Sequence, residues 1–294
     1  MKLSRTKAAC LLACAALLLA ASLAAQNLGD KMLDLLEKDY KPEAPLLAPD
    51  VTVVQDFKDT SSEPAGLVEF VENEAYIIHA EDQHTAYKAA KNNMVCVGDT
   101  LVAEAGSNMA VLLKDQSKFT LAAYSKMTID KSVYDPDRNF RDTVLDLAAG
   151  KARVVAKKLQ AAGDENFKVK TPVATCGIRG SDFVVSLVPA NQLPDWRSTF
   201  WDSLGPAKAY AQASGGFQSP GGGLSLVVLT GAETTLSVTG PVGPPVIMES
   251  FSITASFTDR PTQPPSTVPP SRVPDVMNKV GPNISVMRMP KVFE

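Results

Sequence analysis

Gly98-Asp99-Thr100-Leu101-Val102-Ala103-Glu104-Ala105-Gly106-Ser107-Asn108-Met109-Ala110-Val111-Leu112-Leu113-Lys114-Asp115-Gln116-Ser117-Lys118-Phe119-Thr120-Leu121-Ala122 decides the fold. It holds three short apolar runs, Thr100–Ala103, Met109–Leu113 and Lys118–Ala122. Turn-forming residues separate them: Gly98-Asp99, Gly106-Ser107-Asn108 and Lys114-Asp115-Gln116-Ser117. Runs this short, rich in β-branched residues and punctuated so regularly, predict strands joined by tight turns.

The same rhythm extends in both directions. Upstream lie Leu67–Val71, Ala75–His79 and Met94–Val97. Downstream lie Lys126–Ile129, Thr143–Leu147, Lys151–Val155, Asn166–Val169 and Asp182–Val188. A second block follows at Leu224–Leu229, Glu233–Val238 and Val246–Phe257. His84 to Lys91 reads as one helical turn or a long loop. The prediction is a compact all-β domain, a short solenoid-like or twisted-sheet stack, with a short N-terminal helix and a Pro-rich C-terminal tail.

Composition narrows the classes. The chain has 294 residues, with 29 Lys+Arg against 32 Asp+Glu, a net charge of −3. That balance speaks against a nucleic-acid partner, which calls for a basic surface. An apolar fraction of 45% speaks against wholesale disorder.

The ends read differently from the middle. Lys2, Arg5 and Lys7 precede a charge-free apolar run from Ala8 to Leu23, and Ser22-Leu23-Ala24 offers small residues for cleavage. This is the pattern of a secretory signal peptide over residues 1–24, cleaved near Ala24. Its removal takes three positive charges and leaves the mature chain at −6. No later apolar run approaches spanning length, so no transmembrane segment is expected after cleavage. The predicted location is periplasmic or secreted.

Residues 25–64 are read as an amphipathic helix with Met32, Leu33, Leu35 and Leu36 on its apolar face, then a Pro-containing connector. Residues 65–188 form the main β domain. Residues 189–223 look like an insertion or linker. Trp196, Phe200 and Trp201 gather there ahead of two glycine clusters. That trio is either a binding patch or a group packed on the sheet edge. Residues 224–258 add a further β segment. Residues 259–294 start with six prolines between Asp259 and Pro274, a composition read as a polyproline-type linker or disordered tail.

Two cysteines, Cys96 and Cys176, remain after the signal peptide. An oxidising compartment permits a disulfide between them. Each also sits in an apolar strand-like run, where a buried free thiol is the alternative.

Thr171-Pro172-Val173-Ala174-Thr175-Cys176-Gly177-Ile178-Arg179-Gly180-Ser181-Asp182-Phe183 is the most specific motif. Pro172 fixes an extended backbone without a donor. Gly177 and Gly180 flank Ile178-Arg179 and allow a sharp bend on either side. Arg179 carries a rigid fork of donors, suited to tying down loop carbonyls or pairing Asp182. A ligand-binding role suits the same fork, because it also fits carboxylates and phosphates.

This motif resembles the signature that closes the FecR domain. Four upstream landmarks agree in order: Gly98-Asp99-Thr100-Leu101; Gly106 to Leu113 with Asp115-Gln116-Ser117; Ser125 to Ile129; and Leu147 to Ala152. The resemblance spans roughly Gly66 to Leu187. Ser181 stands where the family usually has Thr, Ile178 where it has Val, and Cys176 where it has a small apolar residue. The Asp115-Gln116-Ser117 hairpin lacks the usual glycine, which implies a looser turn.

No enzyme pattern emerges. His79 and His84 are the only histidines, and neither belongs to a readable triad or metal set. No cofactor is expected. Family sensors join a cytoplasmic anti-sigma segment to a periplasmic domain through one membrane span. A chain that opens on a cleavable signal does not follow that plan. The expectation is a non-catalytic exported module that binds a protein or an envelope polymer. The alternatives are a signalling component relaying to a separate membrane regulator and, from another class, an envelope hydrolase.

Overall fold

The computed structural model describes residues 29–159, 165–178, 180–193, 223–230, 235–258, 261–278 and 280. Within them the chain builds two facing β-sheets. The strands are β1 (Thr52–Val54), β2 (Pro64–Glu72), β3 (Ala75–Ile78), β4 (Thr85–Lys88), β5 (Met94–Cys96), β6 (Thr100–Ala103) and β7 (Asn108–Leu113). Next come β8 (Lys118–Leu121), β9 (Ser125–Asp135), β10 (Phe140–Ala149), β11 (Lys151–Val155), β12 (Glu165–Thr171), β13 (Ala174–Ile178) and β14 (Asp182–Val188). The last are β15 (Leu224–Leu229), β16 (Leu236–Thr239), β17 (Val246–Met248), β18 (Ser252–Phe257) and β19 (Ser266–Thr267).

The first sheet runs β1-β4-β3-β6-β9-β10-β12-β13-β16-β17. The second runs β19-β18-β15-β14-β11-β8-β7-β2-β5. The chain changes sheets every one or two strands, so both layers grow together from one end of the stack to the other. All pairings are antiparallel except β1 with β4 and β10 with β12. The second exception has a topological cause: β11 crosses to the other sheet between them. The all-β expectation therefore holds as a two-sheet stack.

Alternation along the strands fills the space between the layers. Leu101, Met127, Ile129, Leu145, Leu147 and Phe167 from the first sheet meet Val111, Phe119, Leu121, Val154, Phe183 and Val227 from the second. The outer face of the second sheet is also apolar, which is why β15 is buried along its whole length. Val184, Val188, Leu226, Val228, Ile253 and Phe257 line that face.

Two segments cover it. Helix α1 (residues 29–36) lays Met32, Leu33, Leu35 and Leu36 on it, and Tyr40 follows. From residues 266–280 come Val268 and helix α2 (Val273–Asn278), which contributes Val276. Arg272 joins the two covers through Asp34 at 3.2 Å and Glu37 at 2.5 Å.

Several expectations change here. Residues 266–278 are not a free proline-rich tail. β19 pairs with β18, and a 3-10 turn at Pro270–Arg272 leads into α2. Pro269, Pro270 and Pro274 sit at helix starts, where the missing amide donor costs nothing. Residues 85–88 form a strand rather than a helical turn. Val246–Phe257 is two strands in different sheets, broken near Phe251, whose φ is +56°. The connector after α1 also works: Leu46 and Leu47 cover Tyr76, Ile78, Ala86 and Val102 on the outside of the first sheet.

Cys96 and Cys176 are free and buried, so the disulfide is not formed. Cys96 ends an edge strand of the second sheet, whereas Cys176 lies inside the first. Burial pushes the Cys96 thiol up to about 11 and the Cys176 thiol up to about 12. Residues 1–24, Arg179, Trp196, Phe200 and Trp201 lie outside the described residues.

Candidate functional site

The motif at 171–183 is where the chain leaves the first sheet for the second. It begins as the β12–β13 turn. The Thr171 hydroxyl accepts from the Ala174 amide at 2.8 Å and the Val173 amide at 3.3 Å. Pro172 needs no donor there. Cys176 points into the core between the sheets, and Ile178 ends β13 against the same core.

The two glycines of the motif do different jobs. Gly180 takes φ +62°, and a Cβ there would sit 2.5 Å from the Lys158 Cβ. Position 180 therefore admits only glycine without a local shift. Gly177 stays within strand β13, and an added Cβ would meet nothing closer than 4.0 Å. The expected bend on both sides of Ile178-Arg179 is thus confined to the Gly180 side. Gly177 instead forms bare floor between Lys168 and Ser237, its register partners on β12 and β16.

Beyond the crossing, Ser181 is buried and accepts the Ala156 amide at its carbonyl, 2.9 Å away. Its hydroxyl donates to the Thr235 carbonyl at 3.3 Å. Asp182 is gripped from two sides by Arg153, with Nε 3.0 Å and Nη2 2.7 Å from its two oxygens. Arg153 on the neighbouring β11 thus engages both carboxylate oxygens, while Arg179, read as tying down loop carbonyls or pairing Asp182, lies outside the described residues. Phe183 is fully buried between Val154 and Leu229.

The arginine that organises this end of the stack is Arg141, a residue the sequence reading passed over. It is 0% exposed. Nη1 donates to Asp115 Oδ2 at 2.8 Å, Ser117 Oγ at 3.0 Å and the Lys157 carbonyl at 2.8 Å. Nη2 pairs with Glu165. The guanidinium carbon lies 5.1 Å from the centre of the Phe167 ring. A buried cation is tolerable only with such pairing. The Asp115-Gln116-Ser117 turn is tight despite lacking glycine: Gln116 itself takes φ +66°, and Asp115 binds the Ser117 amide at 2.9 Å.

Next to this corner the first sheet carries a groove of about 360 Å³. Gly177 and Ser237 lie in it, with Glu165, Asn166, Thr235 and Ile247 around them. Ile247, on edge strand β17, is 57% exposed, the highest among the large apolar side chains described. Glycine inside a strand with space above it marks a place where another chain can come close to the backbone. Among the described residues no group of three His, Cys, Asp or Glu gathers as a metal site. His84 pairs on the surface with Asp50 at 3.0 Å.

Comparison with known proteins agrees with the motif. Residues 99–192 match the family model described as FecR protein. No curated protein matches the chain. Two crystal structures of a protein from Parabacteroides distasonis ATCC 8503, provisionally described as an anti-sigma factor, align at 15% identity with a TM-score of 0.39. Each alignment covers 60% of this chain and 62% of the solved one. The matched segment contains the β6 to β14 strands, the Arg141 cluster and the sheet-crossing motif. Over residues 99–192 the chain is similar to the FecR protein family.

Proposed function

We propose that this protein is a signalling component that passes an envelope event to a separate membrane-bound regulator. The observation that carries the reading is the FecR family match over residues 99–192. It is favoured over a scaffold on an envelope polymer, because sensing through protein contacts is what that family resemblance implies. Among the described residues no helix is long and apolar enough to cross a membrane. A relay of this kind therefore needs a partner to carry the signal across.

The groove above Gly177 and Ser237 is the surface we assign to that partner. Its floor is bare backbone, its rim holds an exposed Ile247, and the Arg141 cluster holds the strands beneath it rigid. Residues 1–24 act as an export signal in this reading, and the domain works without catalysis.

Affinity capture from crosslinked envelope fractions tests the proposal. A co-purifying membrane regulator supports it. Recovery of peptidoglycan or another polymer without protein moves the function to a scaffold. N-terminal sequencing of the cell-derived protein should begin near Ala25, and an intact Met1 would refute export with cleavage.

A further inference from the structure

His79 is 4% exposed and ends the β3 hairpin arm in a polar cage. Its Nδ1 lies 3.1 Å from Asp99 Oδ1, and its Nε2 lies 2.8 Å from the Lys58 carbonyl oxygen. The rings of Phe57 and Tyr87 pack against the imidazole at 5.5 and 5.2 Å. Asp99 is wholly buried, and its other oxygen accepts the Cys96 amide at 2.8 Å.

Those contacts fix how many protons the pair must hold. A carbonyl only accepts, so Nε2 must carry a proton. The Nδ1 to Oδ1 contact then needs one more proton, on either the ring or the carboxyl. The satisfied pair holds two protons in all. Remove one, and a lone pair faces a lone pair, at Asp99 or at Lys58 according to the tautomer. Buried groups left that way are costly.

The pair sits where it can act on the chain. Lys58 lies on the segment between β1 and β2, which also sends the Glu63 carbonyl to the Val97 amide at 2.8 Å. Asp99 lies at the turn by which β5 of the second sheet passes to β6 of the first. His79 thus ties the incoming connector to a sheet crossing. We propose that His79 and Asp99 form a proton-dependent latch that holds residues 57–63 against the stack and lets them go when the pair loses its second proton.

The surroundings favour the proton-loaded state. Desolvation pushes the Asp99 carboxyl upward, against hydrogen bonds from the Cys96 amide and His79. In the turn after β3, a hydrogen bond from Ser62 holds Glu81 low, and one from Thr85 holds Asp82 low, so both stay anionic beside the imidazole. The other ionisable neighbours are Lys58, Asp59 and Glu63 on the held segment, His84 before β4, Tyr87 on β4 and Cys96 on β5. The sign follows: the latch is closed at neutral and lower pH and opens as the pH rises.

NMR of 15N-labelled full-length protein tests this, with surface His84 as internal reference. At pH 7 the pair should hold two protons. Either both His79 ring nitrogens read as protonated, or Nε2 does together with a protonated Asp99. On alkaline titration, amide protection over residues 57–63 and at Val97 should fall about tenfold in step with loss of the second proton. A neutral His79 beside an ionised Asp99 at pH 7 would overturn the proposal. So would protection that stays constant through that titration. An Asp99→Asn variant supplies the second hydrogen bond from its amide to a neutral imidazole throughout the alkaline titration. It should keep the protection and lose the step, and a persisting step would equally overturn the latch.

Discussion

The outer faces of the two sheets are treated in opposite ways. The second sheet presents Val184, Leu226, Val228 and Ile253 outward, and residues 29–40 and 266–280 fold over them. The first sheet seals only its opening strands, under Leu46 and Leu47. Further along it presents Asp130, Lys131, Lys168, Lys170 and Thr239 to solvent, and the groove around Gly177 lies on this half. One face is covered by residues 29–40 and 266–280, and among the described residues the outer side of the other sheet is left exposed over this half.

The strongest way to break that contrast is from below the groove. Arg141→Ala strands Asp115 and Glu165 in the corner and should cost about 3–5 kcal/mol. Urea denaturation reads this, and a loss under 1 kcal/mol would show that the cluster does not hold the corner. On the sealed face, Leu33→Ala should cost roughly 2–5 kcal/mol. The same change should leave partner capture intact in whatever fraction stays folded. Deleting residues 259–294 should likewise lower the melting temperature, because Val268 and Val276 are fully buried. An unchanged melt would return that segment to the status of a free tail.

Alkali provides a milder perturbation of the buried side. Burial raises Cys96 from 9.0 to about 11, Cys176 from 9.0 to about 12 and Tyr40 from 10.0 to about 12. The unfolded chain gives up these protons first. Their contribution is therefore complete below about pH 9 and is lost as the pH climbs toward 12. Denaturant midpoints measured from pH 8 to pH 11 should fall steadily. A flat profile would mean that these groups meet solvent in the folded state.

The smallest expected effect on stability lies on the open face. Ile247→Glu should change stability by no more than about 0.5 kcal/mol, as an exposed site allows. It should nevertheless sharply weaken partner capture. Equal capture by the variant and the wild type would take the groove out of the account.

Much of this was readable in the sequence, for a clear reason. Thr100–Ala103 carries local turn signals on both sides, Gly98-Asp99 and Gly106-Ser107-Asn108, and the structure places the strand at those bounds. The helix at 29–36 declared itself through Met32, Leu33, Leu35 and Leu36. What local signals could not carry was the pairing of distant segments. β4 becomes a strand because β1 and β3 flank it. The proline-rich segment orders because a sheet face needs covering. The role of Gly180 was legible from the motif. That of Gly177 was not, since its freedom shows only once Ser237 stands beside it. Arg141 carried no motif, and its importance comes from Asp115 and Ser117 in the β7–β8 turn and Glu165 at the start of β12.

The central claim is that the open half of the first sheet receives the partner. Photo-crosslinking from paired positions tests it most directly: a photoreactive residue at Ile247 or Ser237, against one at exposed Asp30 on α1. The account predicts one membrane-protein adduct from Ile247 and Ser237 and none from Asp30. An adduct from Asp30, with none from the groove, would contradict it.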